Sequence, residues 1–173
     1  MDTNESRVCC FFGHRKICKS ENLKLKLKNE IEKLIVAKSV DTFLFGSNSE
    51  FDELCYVTVT ELKKTYQEIK RIYVRSSFGE VSDGYVGYLL NKYEETYQPE
   101  KIKRAGMASY VERNYEMIDK SDFCIVYYDK EYLPPTRKHN KRGLSYQPRS
   151  GTSIAYAYAL KKKLEIINIL DLI

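Results

Sequence analysis

The sequence contains no tryptophan and no long uncharged apolar run. The second absence predicts that no helix of this chain spans a membrane. The opening Met-Asp-Thr-Asn-Glu-Ser-Arg is polar and short before the first apolar run, so no signal peptide is expected. No CxxC pair occurs, and the five cysteines, at 9, 10, 18, 55 and 124, are odd in number. That usage predicts small core residues, reduced thiols and a cytoplasmic setting. Cys9, Cys10 and Cys18 are close in sequence, but adjacent strand residues point to opposite faces, so no metal site is expected. A concentrated basic face is also missing. The net charge of +5 is spread along the chain, which suits a small anion better than nucleic acid. No internal repeat and no clear linker interrupts the 173 residues. One domain spanning residues 1–173 is therefore expected.

What the chain does contain is tyrosine, 15 residues of it, within a 43% hydrophobic and 31% charged composition that fits a soluble globular protein. Tyrosine rings serve for stacking on a base, lining an interface or filling a core. Residues 7–12 (Arg-Val-Cys-Cys-Phe-Phe) are apolar on both faces, as in a central parallel strand covered by helices. Gly13-His14-Arg15 ends this strand and places His14 and Arg15 at the carboxyl edge of the sheet, where open α/β folds bind ligands; a solvated turn is the alternative. Residues 20–38 read as a helix capped by Ser20, with Leu23, Leu27, Ile31, Leu34 and Ile35 on one face. Residues 41–45 form a second strand, closed by Gly46-Ser47-Asn48-Ser49. The next helix runs from there to about residue 70. Ser49 and Asp52 have the spacing of a capping box in a carboxylate variant. Asp52 is thus either a cap or a ligand group at the sheet edge, hydrogen-bonding ribose hydroxyls or a base.

Residues 71–75 read as a third strand. The stretch 76–107 reads as an inserted loop holding one short helix over 85–93. Its tyrosines suit a lid or an oligomer contact equally. Residues 108–120 read as a helix carrying Arg113 and Asn114, and 123–128 as a strand apolar on both faces. Residues 129–149 form a second inserted loop, basic, with Arg137, Lys138, Lys141, Arg142 and Arg149, and with His139 exposed. Ser150-Gly151-Thr152-Ser153 opens a helix to residue 163, in which Ala155, Ala157 and Ala159 allow close packing on the sheet. A last strand covers 165–170. The element order predicts an α/β fold: a Rossmann-like, doubly wound, mostly parallel sheet of about five or more strands, with helices on both faces. Free N–H groups and small side chains at the start of the 150–163 helix favour a phosphate, and Arg113 offers a two-pronged partner for it.

These residues resemble a family. Arg113-Asn114-x-x-Met117, then Ser121-Asp122, a strand and Gly151-Thr152, look like the core of the LOG-like (SLOG) superfamily. Its enzymes include the cytokinin-activating phosphoribohydrolases, which carry a PGGxGTxxE motif. The YpsA-like branch is closer: its first strand ends in Gly-His-Arg, as in Gly13-His14-Arg15, and Phe45-Gly46, Phe51-Asp52 and Ser150-Gly151-Thr152 follow its pattern. The resemblance covers about residues 8–168. It implies a nucleotide or nucleotide-derived ligand of the AMP, ADP-ribose, NAD or cyclic-nucleotide class, a bacterial or phage source, and no required cofactor. Carried over by position, it implies a pocket bordered by Gly13, His14, Arg15, Gly46, Ser47, Asp52, Arg113, Asn114, Ser150, Gly151, Thr152 and Ser153.

The departures shape the function expected. The family glutamate falls at Ala155, Asn114 stands at a lysine position, and Arg149-Ser150 replaces proline-glycine. Alanine handles no protons. Binding, sensing or sequestration of the ligand is therefore expected over standard phosphoribohydrolase chemistry, with homo-oligomerisation. One alternative is a hydrolase cleaving an N-glycosidic bond of a nucleotide or NAD-like substrate, with Asp52 as the catalytic acid. The other is a protein-interaction module whose pocket is vestigial and whose tyrosine-rich loop binds a protein partner.

Overall fold

Six strands form one sheet in the order β4-β3-β2-β1-β5-β8, and every neighbouring pair is parallel. The computed structural model describes residues 5–76, 81–139 and 143–173, apart from the side chain of Met107. Gly79, Lys141 and Arg142 of the inserted loops lie outside the described residues. The strands are β1 (Arg7–Gly13), β2 (Val40–Phe45), β3 (Lys70–Val74), β4 (Glu95–Tyr97), β5 (Phe123–Tyr127) and β8 (Glu165–Asn168). The helices are α1 (Glu21–Lys38), α2 (Glu50–Lys63), α3 (Asp83–Leu90), α4 (Ser109–Asp119) and α5 (Gly151–Lys161).

The central strands are apolar on both faces because helices cover both. Cys9 and Phe11 of β1 join α1 and α2 in one core, with Leu23, Leu27, Phe51 and Val59. Cys10 and Phe12 face α4 and α5, with Met117, Ile118, Ala155 and Ala159. Adjacent Cys9 and Cys10 thus lie on opposite sides of the sheet. All five cysteines are free, and Cys18 is the exposed one. No helix among the described residues is long and apolar enough to cross a membrane.

Several boundaries differ from those read in the sequence. Helix α2 ends at Lys63 rather than near residue 70. Leu62, Tyr66 and Ile69 keep helical spacing, but the N–H groups of Thr65 and Tyr66 both turn back to the Leu62 carbonyl, and the chain swings round to start β3. The described residues of the 76–107 stretch hold more regular structure than the one short helix expected. Its short helix covers Asp83–Leu90, β4 adds a three-residue edge strand beside β3, and two 3-10 turns (Glu100–Arg104 and Gly106–Ala108) lead into α4. So short a strand leaves no alternation to read. In the basic loop, β6 (Arg137–Lys138) and β7 (Ser145–Tyr146) pair as a small antiparallel hairpin, exposed and separate from the sheet. Helix α5 begins at Gly151, and Ala157 faces solvent, so only Ala155 and Ala159 of the three alanines pack on the sheet. Strand β8 stops at Asn168, and Ile169 is buried in a closing 3-10 turn.

Candidate functional site at the carboxyl edge

The chain order reverses between β1 and β5, so the crevice for a ligand opens beyond their carboxyl ends. His14 bridges it. Its Nε2 accepts the Asp129 N–H at 3.0 Å, tying the end of β1 to the chain after β5. Tyr132 packs on its ring at 4.4 Å. Burial lowers the His14 pKa below the ordinary histidine value, opposed by the Asp129 contact, so the ring is neutral with its proton on Nδ1. Arg15 is exposed, and its carbonyl accepts the Glu50 N–H at 3.0 Å. This bond joins the β1 edge to the start of α2. Gly13 sits where a Cβ would fall 2.3 Å from Cδ1 of Phe51.

The second group lies one strand away, where β2 meets α2. Ser49 caps α2 by accepting the Asp52 N–H at 3.0 Å. In a capping box the Asp52 carboxylate would return the favour to the Ser49 N–H. Here the Ser47 hydroxyl takes that N–H at 3.2 Å. Asp52 is thereby released from capping. It is 3% exposed, and its Oδ1 has no hydrogen-bond partner among the described residues. Desolvation pushes its pKa up to about 8. Arg113 and the backbone N–H groups of Ser47 and Gly46 pull the other way and are outweighed.

Arg113 reaches this group from α4 and is 4% exposed. Its Nη1 donates to the Gly46 carbonyl, and to Ser76 Oγ at 3.3 Å. Asn114 Oδ1 accepts from Nε and Nη2 at 3.2 and 3.0 Å, so Asn114 orients the guanidinium. A Cβ on Gly46 would fall 2.8 Å from Arg113 Cδ and 2.9 Å from Met117 Sδ, so the glycine makes room for Arg113. No carboxylate lies in ion-pair contact with Arg113 among the described residues. The side chain is a buried cation held by neutral oxygens.

The third group is the start of α5. Ser150 caps it by accepting the Ser153 N–H at 3.0 Å. The N–H groups of Gly151 and Thr152 have no acceptor among the described residues, as expected for a first turn. Nothing lies within 4 Å of a Cβ placed on Gly151, which leaves an open approach. Arg113 makes no hydrogen bond to residues 150–153 among the described residues. The structure therefore brings Gly46, Ser47, Asp52, Arg113 and Asn114 together, ties Gly13 and Arg15 to the start of α2 through Phe51 and Glu50, sets His14 against Asp129 and Tyr132, and keeps Ser150–Ser153 as a separate donor group on the same edge. Ala155 is fully buried among Cys10, Phe12 and Met117. Ala155→Glu is expected to destabilise the fold by about 3 kcal/mol or more, by overpacking and burying an acid. Urea unfolding at pH 7 measures this.

Two adjoining cavities open beside the second group, of about 270 and 280 Å³. Asp52 and Ser47 line the first, Tyr73, Tyr85 and Tyr88 the second, and Asn48, Lys92 and Tyr93 both. Sequence reading marked the tyrosines of this stretch but not Asn48, Tyr73 or Lys92 as site residues. The usable signal was the density of tyrosines around one lysine at 85–93.

Comparison with curated proteins gives no match. A family model for YpsA, described as the YspA SLOG family, matches residues 7–158, which is most of the chain. The match spans the fold from β1 to most of α5, five of the six strands of the sheet, and includes all three edge groups. The protein belongs to the YpsA-type SLOG family.

Proposed function

We propose that the carboxyl edge of this nucleotide-related α/β domain binds a nucleotide or nucleotide-derived ligand and holds it without standard phosphoribohydrolase chemistry. The observation that carries this reading is Arg113: a buried guanidinium at the sheet edge with no ion-paired carboxylate among the described residues. Burying an uncompensated cation is costly, and an anionic ligand would offset the cost. The free N–H groups of Gly151 and Thr152 support a phosphate on the same edge. Ligand candidates are AMP, ADP-ribose, NAD and cyclic nucleotides, and assembly into a homo-oligomer belongs to the same proposal.

A thermal-shift series with these four compounds tests it. Arg113→Met is expected to weaken binding about 10- to 100-fold, the value of a charge-assisted hydrogen bond. No shift with any of the four, and no co-purified nucleotide by mass spectrometry, would overturn the reading. One observation favours the hydrolase alternative. With its pKa pushed up to about 8, Asp52 is protonated at neutral pH and able to donate a proton to a leaving base. Release of free base that disappears in Asp52→Asn would establish it.

A further inference from the structure

The two cavities share Asn48, Lys92 and Tyr93 and form one slot between the start of α2 and α3, lined by Tyr56, Tyr73, Tyr85, Tyr88 and Tyr93 together with polar and charged side chains. Tyr93 is fixed by Phe45, Tyr56 and Tyr73, with ring centroids 5.7, 5.0 and 5.2 Å away. Tyr85 and Tyr88 on α3 leave 36% and 53% of their surface open. Two polar groups reach the slot without partners among the described residues: the exposed Asn48 amide and the buried Oδ1 of Asp52. One charge of each sign, Lys92 and Glu53, lines it beside the buried Asp52. That balance does not suit phosphate, whose donors stand elsewhere on the edge, at Arg113 and the start of α5.

We propose that this slot is a nucleobase subsite, in which the base lies against the tyrosine rings of α3 while Asp52 and Asn48 read its polar edge. The proposal rests on the nucleotide reading above and names the part of the ligand that this wall takes. A planar heterocycle presents two π faces and an edge of donors and acceptors. The slot offers stacking rings and a carboxyl–amide pair in return. A peptide strand would need a sheet edge, and this slot has none: β4, the nearest edge strand, contributes no residue to the lining.

The buried Oδ1 of Asp52 and the exposed Asn48 amide, both unpartnered among the described residues, are the slot groups that meet the polar edge of the base.

Calorimetric titration of the full chain at pH 7 with AMP, GMP and ribose 5-phosphate tests the subsite. AMP and GMP are each expected to bind about 10- to 100-fold more tightly than ribose 5-phosphate, the value of one stacked base. Tyr88→Ala, at an exposed position, is expected to bring AMP down towards ribose 5-phosphate and to leave ribose 5-phosphate unchanged. Tyr85→Ala provides a second variant with the same expectation. Equal binding of AMP and ribose 5-phosphate, unaffected by either substitution, would overturn the subsite and leave the phosphate-binding edge standing. Asp52→Asn and Asn48→Ala variants that bind AMP and GMP as tightly as the unaltered chain would overturn the edge-reading role. Failure of all three compounds to bind would overturn the subsite, and the nucleotide reading falls with it when ADP-ribose, NAD and cyclic nucleotides also fail to bind and no nucleotide co-purifies.

Discussion

Asp52→Asn is expected to make the protein more stable while weakening its ligand. In the unfolded chain Asp52 ionises near its ordinary value of 3.8, and in the fold it holds its proton to about pH 8. The folded state therefore binds the extra proton between these values. Stability is complete below pH 4, falls as pH rises towards 8, and is level above it. Each pH unit in that window costs about 1.4 kcal/mol, so the loss at pH 7 is at most about 4 kcal/mol. Asparagine has nearly the same volume and no charge to lose. Its amide donors meet a site with no acceptor in place for them, which returns about 1–3 kcal/mol. A net gain of about 2 kcal/mol at pH 7 is expected, or roughly 4–8 °C in Tm for a chain of this size. Urea unfolding of both proteins at pH 4, 6, 7 and 9 checks it. The advantage of the variant should grow from pH 4 to 8 and then stay constant. A difference that does not vary with pH would show that Asp52 ionises alike in both states. The Ser47 hydroxyl has taken the capping duty of Asp52, the backbone N–H groups of Gly46 and Ser47 engage its carboxyl, and under the nucleotide proposal its unpartnered Oδ1 is the part that meets the ligand.

Gly13→Ala is expected to cost about 3 kcal/mol, although glycine-to-alanine changes at unstrained positions usually stabilise a chain. Gly13 is the last residue of β1 and pairs with Tyr127. A Cβ there would fall 2.3 Å from Phe51 Cδ1 and 2.5 Å from both Cβ and Cγ. Phe51 cannot swing away. It is fully buried, and its ring packs 5.7 Å from that of Tyr127. Relief requires α2 to shift, which would also move Ser49 and Asp52 at its start. Loss of nucleotide binding is therefore expected alongside loss of stability. Thermal unfolding of Gly13→Ala, Phe51→Ala and the double variant measures the coupling. The double variant should be more stable than the sum of the two single losses predicts, because alanine at 51 lacks the Cγ and Cδ1 atoms that crowd the new Cβ. Strict additivity would place the cost in the β1 backbone instead of the Phe51 contact.

Gly13 and Gly46 show how far residue patterns reach. Both glycines mark the carboxyl ends of strands, and that position was legible from the apolar runs before them. A ligand approach is the usual account of such glycines. The atoms that need the space are those of Phe51, Arg113 and Met117. The partner on the far side of a glycine lies on another element, so the pattern records the gap and not its occupant. Asp52 behaves similarly. Ser49 and Asp52 are spaced as a capping box, and the cap half is present. The other half depends on a hydroxyl two residues before Ser49 turning inward, which no spacing rule encodes.

The sequence by itself determined the sheet, its parallel sense and its edge. Strands apolar on both faces need helices on both sides, and alternation of strand and helix leaves a parallel arrangement as the economical one. It also determined the helix starts at Ser20, Ser49 and Ser150, because a cap is a contact over three residues. Tertiary structure alone decided that Arg113 serves the β2 edge, 67 residues away, rather than the start of α5. It alone joined Asn48, Tyr73 and Lys92 in one slot. Contacts of that range are set by how helices pack across the sheet, and local periodicity carries no record of it.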